Sequence, residues 1–175
     1  MTVSQRIRGA ATALAIAALT AFQPAAAAEG NYPFVEIYDA DKKLLQGPVA
    51  TNVVPLWPIR SCFGWVLTLP TYAFQTVEVV EIQKLPGPSR FAGDGFEVHE
   101  TLDGTTAKQR LTVGADGRIV STWCVNDADP PGEYRFDVHI DGRHAAEFRY
   151  CGIRVPENEP FDLEKLACPR RHEGS

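Results

Sequence analysis

The stretch that decides the fold is PPGEYRFDVHIDGRHAAEFRYC, residues 130–151. Apolar and polar side chains alternate on both sides of Asp141-Gly142, which is typical of two half-buried β-strands joined by a tight turn. The pattern predicts a first strand over residues 133–140 and a second that begins at Ala145. One parity of each strand carries the large apolar side chains, so one face of this hairpin must pack against a core.

The turn of the hairpin can be built in two ways. A two-residue turn at Asp141-Gly142 places Phe136 opposite a solvent-facing residue, and a one-residue slip inverts a whole strand. A three-residue loop that ends in a left-handed Gly142, with a G1 bulge, pairs His139 with Arg143 and brings the apolar faces together. We therefore predict the bulged loop.

That register decides how the two histidines of the hairpin are interpreted. Imidazole and carboxylate groups are good metal ligands, and His139 and His144 lie near Asp137 and Asp141 in the sequence. In the predicted register the two histidines fall on opposite faces of the hairpin. We therefore interpret them as partly exposed polar residues, and we expect neither a metal site nor a cofactor.

Similar alternating runs recur along the chain between turn signals rich in Gly, Pro and Asp. The predicted strands cover residues 34–38, 62–69, 76–83, 96–101, 109–113, 118–125, 133–140 and 145–155. Short strands at regular spacing predict an all-β antiparallel sandwich of about 7–8 strands.

Residues 130–143 resemble the penultimate strand and turn of bacterial immunoglobulin-like or fibronectin-III-like sandwiches. In those domains a Pro/Gly corner leads into a Tyr-x-hydrophobic-x-Val strand and a final hairpin, as Tyr134, Phe136 and Val138 do here. The resemblance implies an immunoglobulin-like sandwich. It concerns the fold and brings no functional residues with it.

The first 28 residues are typical of a secretory signal peptide. Arg6 and Arg8 precede a short apolar run, and small residues at 26–28 suit cleavage before Glu29. The apolar run is shorter than the roughly 20 residues of a membrane span. We therefore expect a periplasmic or secreted protein, with a β-sandwich domain over residues 29–155, a tail over 156–175 and no transmembrane anchor in the mature chain.

The net charge of the chain limits the classes of partner it can bind. The chain carries 17 Lys and Arg against 22 Asp and Glu, a net charge of −5. No basic surplus is present to displace counterions from phosphates, so nucleic acid is excluded as the main partner.

Four cysteines allow three disulfide pairings, and an exported chain should oxidise all four. Cys62 and Cys124 both lie on the parity that points away from the core, at opposite ends of their strands. Because an immunoglobulin-like order makes these strands antiparallel neighbours, we predict Cys62–Cys124. Cys151–Cys168 would then staple the tail. The alternative, Cys62–Cys151 with Cys124–Cys168, requires a different strand order.

Two segments carry candidate binding residues. The proline-bracketed stretch 53–60 contains Leu56, Trp57 and Arg60, and the Pro/Gly-rich loop 85–95 contains Arg90 and Phe91. Aromatic and arginine side chains dominate binding hot spots. In the alternative interpretation, which we favour, Leu56 and Trp57 fold back to cover an open edge of the sandwich.

No catalytic motif accompanies these residues. No serine lies in a Gly-x-Ser-x-Gly elbow, and the acidic run 127–129 lacks the spacing of a calcium loop. The sequence therefore favours a non-catalytic binding or accessory module of the bacterial cell envelope, which recognises an unknown envelope protein or glycan through loops at one end. The alternatives are a small periplasmic enzyme or inhibitor, or a metal-responsive protein that uses acidic loops and His139.

Overall fold

A computed structural model describes residues 30–87, 97–101, 104–156 and 161–169. The predicted signal peptide lies outside these residues, as do Arg90 and Phe91. The described residues form ten strands, which are β1 (Tyr32–Tyr38), β2 (Leu44–Val49), β3 (Val53–Pro55), β4 (Ser61–Thr68), β5 (Thr76–Lys84), β6 (Glu97–Thr101), β7 (Gly104–Thr112), β8 (Arg118–Cys124), β9 (Gly132–Ile140) and β10 (Arg143–Ile153). One 3-10 turn, Pro70–Tyr72, lies between β4 and β5, and another, Leu163–Lys165, lies in the tail.

The strands form two facing sheets, with the orders β2-β1-β4-β8 and β3-β10-β9-β5-β7-β6. Alternate residues of each sheet point inwards, and the core between them is built around Trp65, Phe136 and Tyr150. This arrangement is an immunoglobulin-like β-sandwich, as the sequence predicts. A hydrogen bond from the Tyr134 hydroxyl to the Pro130 carbonyl oxygen, 2.5 Å long, closes the corner that leads into β9.

Two strands were not predicted, and both contain proline. Gly47-Pro48 reads as a turn in the sequence but lies inside β2, and Pro55 ends β3. Both strands lie at sheet edges, where one side of the backbone has no ladder partner and proline is tolerated. β3 pairs in parallel with β10.

The predicted register of the last hairpin is wrong. The structure has the two-residue turn, in which Ile140 pairs with Arg143 and both Asp141 and Gly142 have positive φ, at 48° and 76°. That geometry is a type I′ turn, which matches the twist of the flanking strands. This turn alone would place the apolar residues of β9 opposite the polar residues of β10. A one-residue shift in the pairing at Ala145 corrects this, so that Ala146 lies opposite Val138 and Phe148 opposite Phe136.

This correction moves the histidines. His139 and His144 now lie directly opposite each other on β9 and β10, so they share the outer face of the sheet. Their ring centroids are 5.4 Å apart. The prediction that they fall on opposite faces is therefore also wrong.

The structure forms the two predicted disulfides, Cys62–Cys124 and Cys151–Cys168. Cys62 and Cys124 are direct neighbours across β4 and β8, in the strand order on which the prediction rested. The second bond tethers the tail.

The tail packs against the sandwich as well as being tethered to it. Leu163 is 1% exposed and belongs to the core. The Gln46 side chain donates to the Phe161 carbonyl oxygen at 2.8 Å and accepts from the Leu163 amide at 3.2 Å.

Candidate functional site

The first of the two predicted binding segments lies at one end of the sandwich, which we call the Trp57 end. The Trp57 end consists of three segments: residues 56–60 between β3 and β4, the β8–β9 loop 125–131, and the tail segment 161–168. The Ile59 amide donates to the Val125 carbonyl oxygen at 2.8 Å, and the rings of Trp57 and Phe161 meet edge to face at 5.6 Å. These contacts join the three segments into one surface.

Leu56 is not a surface residue. It is 7% exposed, belongs to the hydrophobic core and lies against Gly152 of β10. Because a buried side chain cannot contact a partner, its prediction as a binding residue is wrong. The alternative, in which it covers the edge of the sandwich, describes its position.

Trp57 and Arg60 form a half-buried pair at this end. The guanidinium carbon of Arg60 lies 4.7 Å from the centroid of the Trp57 ring, within the range of a cation–π interaction. Phe161 packs on Trp57 from the tail. The Trp57 ring is therefore held by contacts with both a cation and a second aromatic side chain.

Ile59 is the most unusual residue of the Trp57 end. It is 72% exposed, and its φ is 67°. A β-branched residue in the left-handed region is a true outlier, and such strain persists only where the surroundings fix the backbone. The hydrogen bond to Val125 supplies part of that restraint. Sequence analysis missed Ile59 because nothing in the local pattern predicts a positive φ at isoleucine.

Two grooves flank this surface. One, of about 410 Å³, is lined by Tyr38, Lys42, Ile59, Cys62, Thr122, Cys124 and Val125. Tyr38 donates to Glu36 at 2.6 Å, and this hydrogen bond, with burial and the Glu36 charge, raises the pKa of Tyr38 to about 12. The Tyr38 hydroxyl is therefore neutral at physiological pH, and Lys42 supplies the positive charge of this groove.

The second groove, of about 710 Å³, lies beside the tail and is lined by residues including Glu133, Arg149, Arg154 and the Cys151–Cys168 disulfide. Arg149 donates to Glu147 at 2.6 Å and lies 3.5 Å from Glu133, so its charge is balanced by neighbouring carboxylates. Both grooves are bounded by a disulfide, which keeps their walls in place.

A buried carboxylate lies outside the lining of both grooves. Glu81 of β5 is fully buried between the sheets. Burial raises its pKa, while hydrogen bonds donated by Ser121, Gln83, Trp123 and Trp65 act in the opposite direction. A group sealed in this way cannot reach a substrate, so its role lies in holding the two sheets together.

The chain matches the family model described as PM0630 beta sandwich domain over residues 34–153. The chain belongs to this family. No curated protein matches it. Among solved structures, an immunoglobulin-like protein from Pseudomonas aeruginosa is similar to it, with 16% sequence identity and a TM-score of 0.45 over 69% of this chain and 91% of that one.

Within the described part of this PM0630 beta sandwich domain, no three or more His, Cys, Asp or Glu side chains come together as a ligand set for a metal ion. The described residues also contain no helix of the length and apolarity that a bilayer crossing needs. At the Trp57 end, the exposed Ile59 side chain lies next to the half-buried Trp57–Arg60 pair.

Proposed function

We propose that this protein is an exported, non-catalytic module that binds a protein or glycan of the bacterial cell envelope through the Trp57 end. The observation that supports this most is Ile59. A large apolar side chain is held in solvent by a strained backbone, next to a groove and next to the Trp57–Arg60 pair. Strain of this kind clusters at ligand clamps.

The surroundings suit recognition in a second respect. Trp and Arg are enriched among the residues that dominate binding energy, and here both are already fixed before a partner arrives. Loops that are ordered in advance lose less conformational entropy on binding. Burial raises the pKa of Glu81, but this carboxyl group lines neither groove, which supports a binding role over a catalytic one.

Export is supported by the leader-like residues 1–28 and by two disulfides, which persist in oxidising compartments. Mass spectrometry of the protein from the envelope fraction should find a new N-terminus at Glu29, within a residue or two. A protein that retains Met1 in that fraction would overturn the proposal of export.

Site-specific photo-cross-linking tests the binding surface. A photo-reactive amino acid is placed at Ile59, and the matched control carries it at Phe74. Phe74 is also apolar, is 75% exposed and has a φ of 65°, but it follows β4 at the opposite end and lines neither groove.

We expect adducts of defined mass from Ile59 and none from Phe74, and loss of the Ile59 adduct when Arg60→Glu is added. A glycan array probed with the purified domain covers the second ligand class. Equal adducts at both positions, or neither adducts nor glycan binding, would refute the assignment of this surface.

A further inference from the structure

The corrected register of the last hairpin creates a feature that the proposed function does not use. His139 of β9 and His144 of β10 are paired directly across the sheet, on its outer face, with ring centroids 5.4 Å apart and planes at 81°. His144 is exposed over 56% of its side chain. The two imidazoles are therefore neighbours at the surface, where an ion from solution can reach them.

We propose that His139 and His144 form a two-imidazole site for a divalent transition metal ion, with Cu²⁺ bound most tightly. Directly opposed side chains on antiparallel strands have Cβ atoms about 4.5–5.5 Å apart. Two imidazole nitrogens at about 2.0–2.1 Å from one ion lie roughly 3 Å apart in a cis arrangement. Side-chain rotation alone can bring the two rings from their present contact to that geometry.

The backbone beneath the pair is held in place. β9 is an inner strand, paired with β10 on one side and with β5 on the other, where Val80 lies opposite His139. The Asp141 amide donates to the Glu78 carbonyl oxygen at 2.9 Å, and the Asp141 carboxylate accepts from the Glu78 amide at 2.9 Å. The turn is thereby fixed to β5, and preorganised ligands bind metal more tightly than mobile ones.

A carboxylate lies close enough to assist. The Asp137 Oδ1 atom is 4.0 Å from the Nε2 atom of His144. Asp137 also accepts from Arg135 at 3.1 Å, which fixes its position on the same face. Its carboxylate, paired with Arg135, stays beside the histidine pair, and water would complete the coordination shell of a bound ion.

The choice of ion follows from the ligands. Imidazole suits Cu, Ni and Zn, and affinity among divalent first-row metals is greatest for Cu²⁺. Two protein ligands leave open coordination positions, so this site is exchangeable, unlike a closed structural zinc site.

Titration of the full, untagged mature protein with Cu²⁺ tests the site, with calorimetry for affinity and electron paramagnetic resonance for the ligands. We expect one ion per chain and hyperfine splitting from two imidazole nitrogens. His139→Gln and His144→Gln should each weaken binding at least about tenfold. The matched controls His99→Gln and His172→Gln remove the other two histidines of the chain and should leave binding unchanged.

Thermal unfolding in the presence of EDTA verifies that each variant is folded. A nickel titration adds an independent readout, since an ion that binds only the native state raises the Tm, and this increase should disappear in both hairpin variants. The proposal is overturned if the hairpin variants bind as the wild type does, if a control variant loses the signal, or if no saturable binding occurs.

Discussion

Replacing Glu81 should be among the most damaging single substitutions in this protein. Four donors converge on its carboxylate: Trp65 at 3.2 Å and Ser121 at 2.5 Å on Oε1, and Gln83 at 2.8 Å and Trp123 at 2.6 Å on Oε2. Glu81→Leu removes every acceptor. The two indoles have a single donor each and are fixed in the core, so they cannot find new partners.

The magnitude follows from those indoles. A buried donor without a partner costs about 1–3 kcal/mol, so Trp65 and Trp123 together predict a loss of about 2–6 kcal/mol for Glu81→Leu. Glu81→Gln is milder. Whichever oxygen the new amide nitrogen replaces, its N–H points at the N–H of one indole, so that indole loses its acceptor. Ser121 or Gln83 can rotate to accept from the new N–H. We expect about 1–3 kcal/mol for that variant.

Urea denaturation of the oxidised protein, followed by tryptophan fluorescence, measures both values as changes in midpoint at constant m. The control is Glu78→Gln on the same strand, which removes an exposed ion pair with Lys108 and should change stability by less than about 0.5 kcal/mol. If Glu81→Leu is as stable as the wild type, the hydrogen bonds to this carboxylate do not hold the sheets together and the reasoning is refuted.

Three further outcomes follow from the same structure. Because burial raises the pKa of Glu81, the native state binds the Glu81 proton more tightly than the unfolded state does. The free energy of unfolding should therefore fall as the pH rises from about 4.5 through the native pKa. Glu81→Gln should remove this part of the pH dependence, and an unchanged profile in that variant would contradict the prediction. Gly142→Val should lower stability by about 1–2 kcal/mol, and Gly142→Asn by less. Gly142 has a φ of 76° and no atom lies within 4 Å of an added Cβ, so the penalty comes from the backbone alone. If both variants melt at the same temperature as the wild type, the turn adopts another form. Replacing Cys151 and Cys168 together with alanine should lower stability by about 3 kcal/mol at most, as the entropy of a 17-residue loop predicts, and limited proteolysis should then cut the tail first. A tail that resists cleavage would show that the noncovalent contacts of Phe161 and Leu163 hold it without the disulfide.

The strands whose residues alternate cleanly were predictable from the sequence. β5, β8 and β9 alternate between buried and more exposed residues, and their predicted bounds agree with the structure to within one residue, as do those of the almost fully buried β4. The parity of Cys62 and Cys124 identified their bond. β2 and β3 were missed because neither alternates between buried and exposed residues and each contains a proline, which the sequence analysis took as the end of a strand.

The hairpin shows a second limit. Alternation requires the apolar faces of β9 and β10 to agree, and that requirement was correct. It does not determine where the extra residue of the bulge lies, because a bulge at Gly142 and a bulge at Ala145 both bring the apolar faces together. The two bulge positions differ in whether His139 and His144 lie on opposite faces or on the same face. Placing the bulge wrongly therefore changed the backbone little, but it reversed the interpretation of the two histidines.

Glu81 was within reach of the sequence and was overlooked. It shares the parity of Val77 and Val79 in β5, so the alternation that predicted the strand also placed a carboxylate in the core. Its partners were beyond reach, because Trp65 and Ser121 come from the opposite sheet and meet Glu81 only through the packing of the two layers.

The position of the two disulfides links the fold to the proposed function. Cys124 ends β8 next to Val125, whose carbonyl oxygen holds the Ile59 amide, and the Cys151–Cys168 bond tethers the tail that carries Phe161 onto Trp57. All four cysteines thus brace the same end, while the hairpin at the other end is fixed by a tight turn. A domain that needed covalent bonds only for global stability would gain as much from closing loops of similar length elsewhere, since the entropic benefit depends on loop length and not on location. Their concentration at the Trp57 end is explained if that end must keep its shape, as a preformed binding surface must.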